Sequence, residues 1–184
     1  LTHLMAYDPN PFNRWEAGQR LALNRLLGAI RADRLDEREP MLDAEFVEAM
    51  RTVLRHPTLD AAFKALVLEL PDENELAEHL ASVNPQRIHA VREAMLAQLA
   101  RDLRDDWAWA CETHQVAGAY CFEPVAAGQR ALCNLALSML CLDAAKTGDA
   151  VWPGRAYQRV KDAANMTEGL GALAALVNSH AELA

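Results

Sequence analysis

Apolar residues recur at helical spacing along most of this chain. The clearest stripe follows Asn84 and Pro85 and runs through Ile88, Val91, Met95, Leu99 and Leu103. Residues three or four apart lie on one face of an α-helix, so this stripe predicts a helix with one buried face. No segment alternates apolar and polar residues as a half-buried strand does. The pattern therefore predicts an all-α fold.

Proline and glycine mark the ends of about eight predicted helices. Pro11 is tolerated in the first turn of one of them. Pro57 ends another, because the residue before proline is pushed away from the helical region. The segment from Glu37 to Pro40 is expected to break the first long helix. The remaining apolar faces are Leu23, Leu26, Leu27 and Ile30; Phe46, Val47, Met50, Val53 and Leu54; Leu59, Ala62, Phe63, Leu66, Val67 and Leu70; Leu76, Ala77 and Leu80; Tyr157 and Val160; and Leu170, Leu173, Ala174 and Val177.

The segment from Pro124 to Lys146 is apolar nearly all round, which predicts a helix that neighbours bury on more than one side. Short breaks between helices favour antiparallel neighbours. The whole of 1–184 is therefore predicted to be a single helical domain. Its architecture is expected to be an α-α superhelix, with HEAT-like stacked antiparallel helix pairs.

Composition and charge argue against several classes of function. A net charge of -8 argues against a nucleic-acid platform, which needs a basic surface. No run of about 18 apolar residues without charge occurs, so no membrane span is expected. The start lacks the pattern of a signal peptide, and a first residue other than Met indicates a piece of a longer polypeptide. The four cysteines are spaced too widely for a CxxC pair or a dense disulfide framework, which favours a reducing, cytoplasmic setting.

Local motifs of catalysis are missing from the sequence. The HExxH pattern of zinc peptidases, the glycine-rich phosphate loops and the GxSxG elbow do not occur. The best local pair is Cys111 and His114, which are neighbours on one helical face. They could form a nucleophile with its base, or half of a metal site. The alternative is a buried thiol with an imidazole near a helix end, and the lack of a third group favours it.

Two groups of carboxylates are candidate metal sites. Asp102, Asp105 and Asp106 alternate with Arg101 and Arg104, which is typical of a solvated surface. Glu73, Glu75 and Glu78 stand at a helix start, where negative charge is favoured. Neither group includes a loop with alternating oxygen ligands and a turn glycine. The prediction is that the chain has no catalytic, cofactor-binding or metal-binding residue.

The tryptophans Trp107 and Trp109 cannot share one helical face. One is expected in the core. The other is expected either to be packed inside the helical array or to face another domain.

Four segments, in order, resemble the C-terminal helical domain of bacterial aminopeptidase N, of the M1 family of zinc aminopeptidases. They are residues 8–19 (DPNPFNRWEAGQ), residues 70–75 (LPDENE), residues 84–85 with 91–94 (NP, VREA), and residues 163–167 (AANMT) leading to Ala172 and Leu173. The order and spacing agree across nearly the whole chain. Gly169 and Gly171 depart from the family, and each is expected to weaken the last helix by up to about 1 kcal/mol relative to Ala.

The resemblance implies a larger protein, a cytoplasmic zinc enzyme that removes N-terminal amino acids from peptides. In the family, the HExxH zinc helix and a Gly-Ala-Met-Glu-Asn segment lie in an upstream catalytic domain, so no catalytic or zinc-binding role carries over to this chain. The chain is expected to begin after that domain and to end partway through the C-terminal one. Its partners would be the catalytic domain of the same polypeptide and peptide substrates, and its role would be to cap the active-site cavity.

Other possibilities stay open. A free-standing helical-repeat module that binds a protein partner also fits the pattern. Residues Asn13, Arg14 and Trp15 could be either an interdomain latch or a helix start. A piece of a larger helical bowl is expected to expose an apolar helix face.

Overall fold

The computed structural model describes residues 1–32, 41–118 and 120–180. Within these residues the chain forms ten α-helices and no strand, which confirms the all-α prediction. The expected break from Glu37 to Pro40 lies outside the described residues. The helices are α1 (Thr2–Tyr7), α2 (Pro11–Arg31), α3 (Ala44–Leu54), α4 (Ala61–Leu68), α5 (Glu73–Glu78), α6 (Pro85–Asp102), α7 (Arg104–Thr113), α8 (Pro124–Thr147), α9 (Val151–Asp162) and α10 (Met166–Ser179).

Local side-chain caps fix several helix starts. The side-chain oxygen of Asn10 accepts from the Phe12 amide at 2.9 Å, directly before Pro11 at the first position of α2. Asp43 and Asp72 cap α3 and α5 in the same way. Each cap satisfies an amide that the first turn leaves without a partner, so these starts follow from the local sequence.

The chain divides into two compact units, of which the first comprises Leu1–His56 and Leu66–Leu99. Here α1 packs against α2 and α3, and α2 also contacts α5. Within this unit, the buried side-chain amide of Gln98 binds the backbone that precedes α3. Its Oε1 accepts from the backbone amides of Met41 and Leu42, and its Nε2 donates to the Leu42 carbonyl, all at 2.9 Å. A buried amide needs such partners, so Gln98 fixes the chain before α3.

The second unit comprises Pro57–Ala65 and Ala100–Ala184. In it α7, α9 and α10 pack around α8, which confirms that neighbours bury α8 on more than one side. Two glycines permit close approach. A Cβ on Gly128 would lie 2.7 Å from the Ala62 amide nitrogen, and one on Gly171 would lie 2.3 Å from Asn134 Nδ2.

Gly171 therefore leaves room for the Asn134 side chain between α10 and α8. The interpretation of Gly171 as only a weak helix former was incomplete, because this contact with Asn134 cannot be seen in the sequence.

Helix α8 is long and apolar enough, by length and composition, to cross a membrane. However, 56% of its apolar window is buried inside the structure, as in the core helix of a soluble protein. Arg130 and Asp143 also lie buried on this helix. The expectation that the chain has no membrane span stays a prediction.

Burial follows the predicted apolar stripes in several helices, with exceptions in α4, α9 and α10. All five residues of the stripe from Ile88 to Leu103 are buried, with the helical run divided between α6 and α7. In α4 Leu66 is exposed, although it belonged to the cleanest amphipathic pattern. In α9 Tyr157 is exposed. In α10 the predicted face of Leu170, Leu173, Ala174 and Val177 is exposed, while Ala172 and Ala175 are buried.

Candidate functional site

The candidate pair Cys111 and His114 is not joined in the structure. Cys111 is buried in α7, whereas His114 lies at the end of that helix. The Nδ1 atom of His114 lies 2.9 Å from the Ala110 carbonyl oxygen, and its ring meets Trp109 edge-on. Because His114 bonds to its own backbone, it is not placed as a base for Cys111. This geometry agrees with the alternative of a buried thiol and an imidazole at a helix end.

Cys111 instead contacts a second thiol. Its Sγ atom lies 3.5 Å from Sγ of Cys133, which α8 places opposite it. The Cys133 thiol is 3.2 Å from the Cys111 carbonyl oxygen, and Arg159 of α9 donates from Nη1 to Cys133 Sγ at 3.0 Å. Three helices thus bring two thiols and one guanidinium together. The residues are 22 and 26 positions apart, so no local spacing signals this group.

The two thiols differ in their acidity. The pKa of Cys133 is lowered to about 7, because the Cys111 thiol donates to its sulfur and the Arg159 charge lies beside it. Burial acts on Cys133 in the opposite direction. The pKa of Cys111 is raised, because of its hydrogen bond to Cys133 and because of burial. Burial also raises the pKa of Cys141, to about 12. Cys133 is therefore the thiol that ionises most readily of these three buried ones.

A cleft of about 570 Å³ opens beside the thiol pair. Cys111 and Arg159 line it, together with the ion pair of Arg155 and Glu112, whose Nη1 and Oε1 atoms are 3.0 Å apart. The Arg155 guanidinium also stacks on the ring of Trp152, 4.5 Å from its centroid. The Nε atom of Arg159 is buried and has no hydrogen-bond partner among the described residues.

The carboxylate groups bind neighbouring side chains and helix starts. Glu73 lies 2.8 Å from Nδ1 of His89, and Asp102 lies 2.9 Å from Nε of Arg101. Over the described part of the chain, no group of three or more His, Cys, Asp or Glu side chains is placed to hold a metal ion. The expectation that the chain supplies no metal ligand remains a prediction.

The residues Asn13, Arg14 and Trp15 lie in the first two turns of α2, and Asn13 and Arg14 contact the end of α1. The buried Arg14 donates from Nε to the Asp8 carbonyl at 2.6 Å and from Nη1 to the Ala6 carbonyl at 2.9 Å. Asn13 Nδ2 donates to the Asp8 side chain at 3.3 Å. Carbonyls at a helix end lack partners within the helix, so Arg14 ties the end of α1 to α2. This segment therefore has a structural role inside the first unit.

Trp107 and Trp109 differ in burial, as expected. Trp107 is buried in the core, and Trp109 is half-buried. The Nζ atom of the buried Lys64 lies 5.7 Å from the Trp109 ring centroid. Trp109 is therefore packed within the second unit, against a cation.

Comparisons with known proteins show similarity to one domain family and to two bacterial aminopeptidases. A family model described as a domain of unknown function (DUF3458_C) with ARM repeats matches residues 1–184. Aminopeptidase N of Escherichia coli is 32% identical over 178 residues, which cover 96% of this chain and 20% of that protein. Aminopeptidase N of Caulobacter vibrioides is 33% identical over 178 residues, covering 95% of this chain and 19% of that protein.

A solved structure shares the fold. The crystal structure of Legionella pneumophila aminopeptidase A in complex with aspartic acid superimposes with a TM-score of 0.76 and 23% sequence identity. The match covers 96% of this chain and 21% of that chain. The chain thus spans about one fifth of the length of each of these relatives.

Proposed function

This chain belongs to the DUF3458_C family of ARM-repeat domains, and on that premise we propose that it is the non-catalytic helical part of a cytoplasmic zinc aminopeptidase. The larger protein would remove N-terminal amino acids from peptides. This part would cap the active-site cavity and restrict the entry of substrates. The observation that carries the proposal is the identity of 32–33% with two aminopeptidases N over nearly the whole chain, as the four segments at 8–19, 70–75, 84–94 and 163–173 predicted.

The described residues offer no set of ligands for the zinc of the proposed enzyme. In the parts of the chain that the structure describes, the His, Cys, Asp and Glu side chains do not gather in groups of three, whereas a catalytic zinc site needs three protein ligands. We therefore assign the zinc, and every catalytic step, to the part of the polypeptide that this chain does not contain.

An exposed apolar stripe on α10 supports a place within a larger protein. Met166, Leu170, Leu173 and Val177 are each between 44% and 74% exposed. Their spacing places them on one face of the helix. Contiguous exposed apolar side chains of this kind mark surfaces that another protein surface covers. In the proposal, the rest of the same polypeptide covers this stripe and the neighbouring domain holds the cap in place.

The capping role is tested in the complete protein. Leu170→Glu with Val177→Glu places two charges on the stripe, and Asn178→Glu adds one on an exposed neighbouring position of the same helix. The double variant should loosen the cap, so kcat/KM for a long peptide should rise relative to that for alanyl p-nitroanilide. The Asn178→Glu control should leave the ratio as in the unmodified protein. An unchanged ratio in a folded double variant contradicts the capping role.

The exposed stripe also fits a free-standing helical-repeat module that binds a protein partner. The two functions differ in what precedes Leu1 in the reading frame. An HExxH segment upstream supports the aminopeptidase, whereas a start codon next to Leu1 supports the binding module.

A further inference from the structure

Two buried thiols face each other where α7, α8 and α9 meet. Cys111 and Cys133 have their Sγ atoms 3.5 Å apart. A disulfide requires about 2.05 Å between the sulfurs, so the two side chains need to close by only about 1.5 Å. The cleft reaches the Cys111 side of the pair, because Cys111 and the Arg159 that contacts Cys133 both line it, whereas Cys133 itself lies behind them and is fully buried.

We infer that Cys111 and Cys133 form a redox-active pair, in which Cys133 reacts with a small hydroperoxide and Cys111 resolves the product into a disulfide. The observations that carry this are the contact between the sulfurs, the guanidinium on Cys133 and the cleft beside them. This site is independent of the proposed capping function, since it depends only on contacts within the second unit.

The reaction takes place in two balanced steps. In the first, the Cys133 thiolate attacks one oxygen of the hydroperoxide. An S–O bond forms, the O–O bond breaks, and the leaving alkoxide or hydroxide takes a proton to become an alcohol or water. In the second, the Cys111 sulfur attacks the sulfenic acid sulfur, so that an S–S bond forms and the S–O bond breaks. The hydroxide leaves with the Cys111 proton as water. Two thiols lose two electrons, and the hydroperoxide gains them.

The surrounding charges assign Cys133 as the attacking thiol. Its pKa is lowered to about 7 by the Cys111 thiol and Arg159, although Glu168 of α10 and burial oppose this. Cys111 has Glu112 beside it, and the same interaction with Cys133 raises its pKa. The thiolate is the nucleophile in thiol oxidation. The attacking thiol, Cys133, is fully buried, whereas the resolving thiol, Cys111, lines the cleft.

The test treats the native protein with an equimolar amount of hydrogen peroxide, blocks free thiols with iodoacetamide and identifies linked peptides by mass spectrometry. Trypsin with a Glu-specific protease separates Cys111 (peptide 105–112) from Cys121 (peptide 113–130, because Pro124 blocks cleavage after Glu123), while Cys133 and Cys141 share peptide 131–146. The expected product is 105–112 linked to 131–146, with Cys141 alkylated. Fragment ions should place the link on Cys133. Fragment ions that place the link on Cys121 or Cys141, or no linked peptide, would overturn the inference.

Two cations of α9 give a matched pair of variants. Arg159→Gln removes the guanidinium on Cys133, whereas Lys161→Gln removes an exposed charge of the same helix, whose Nζ atom lies 5.6 Å from the Tyr157 ring centroid. At pH 7 the first variant should form the disulfide about tenfold more slowly, because less of Cys133 is ionised. The second should stay within about twofold of the native rate. Equal rates in both variants would contradict the assignment.

A Cys111→Ala variant isolates the first step. In it, Cys133 should accumulate as a sulfenic acid that a cyclic 1,3-diketone labels, since the resolving thiol is missing. A labelled Cys121 with an unlabelled Cys133 would overturn the role of Cys133. If this variant fails to fold, the linked peptide of the native protein still decides the inference.

Discussion

Replacing Gly128 by alanine places a methyl group where α8 meets the first turn of α4. The added Cβ would lie 2.7 Å from the Ala62 amide nitrogen, 2.9 Å from the Ala62 Cβ and 3.2 Å from the Ala62 Cα. Two of these atoms are backbone, so the clash cannot be relieved by turning a flexible side chain. The helix that carries Ala62 has to move.

The magnitude follows from two opposing effects. Overpacking a well-packed interior costs about 1–3 kcal/mol, and the backbone contact puts Gly128 at the upper end. Alanine also gains about 1 kcal/mol over glycine inside a helix. The free energy of unfolding should therefore fall by about 2 kcal/mol, and a chain of this size should melt about 4–8 °C lower.

Urea denaturation, followed by tryptophan fluorescence, measures the effect. Three of the four tryptophans, Trp107, Trp109 and Trp152, lie in the same unit as Gly128. The matched control is Gly154→Ala in α9, where a Cβ meets nothing within 4 Å. The control should be as stable as the native chain or up to about 1 kcal/mol more stable. Equal stabilisation in both variants would refute the close packing of α8 on α4.

Three other predictions concern buried charges. Arg14→Ala should lower the free energy of unfolding by about 2–3 kcal/mol, since it leaves two carbonyls of the α1 end without their donor. The control, exposed Arg20→Ala, should lower it by less than about 0.5 kcal/mol. Similar losses in the two variants would contradict the role of Arg14 in holding α1. Burial lowers the pKa of Lys64 in the folded chain, so the unfolded chain binds that proton more readily. The free energy of unfolding should therefore rise as the pH approaches about 10.4. Lys64→Met should reduce this rise, measured by urea denaturation at each pH, and an unchanged dependence of stability on pH would contradict the role of Lys64. The oxidation rate of Cys133 should increase with pH around a midpoint of about 7, and a midpoint near that of an ordinary thiol, about 8.5, would contradict the effect of its neighbours.

Much of the fold was predictable because it depends on local spacing. The stripe from Ile88 to Leu103 and the apolar segment of α8 both identify helices and their buried sides. Prolines and capping residues such as Asn10 mark the helix starts. These features act over three or four residues, so a single sequence contains them in full.

The remainder depends on contacts between distant residues. Leu66 fits an amphipathic pattern yet is exposed, and α10 buries Ala172 and Ala175 where it packs closely on α8 and α9. The group of Cys111, Cys133 and Arg159 forms only after three helices have packed. The sequence placed Cys111 beside His114 by spacing, but His114 bonds to the Ala110 carbonyl instead.

The most direct test of the proposed function is the hydrolysis of alanyl p-nitroanilide by the purified 184-residue chain, with and without added zinc. The account predicts no release of p-nitroaniline above the buffer background under either condition, because the zinc ligands and the catalytic groups are assigned to another part of the polypeptide. Zinc-dependent hydrolysis that a chelator abolishes, in a preparation free of other peptidases, would contradict the assignment of this chain as non-catalytic.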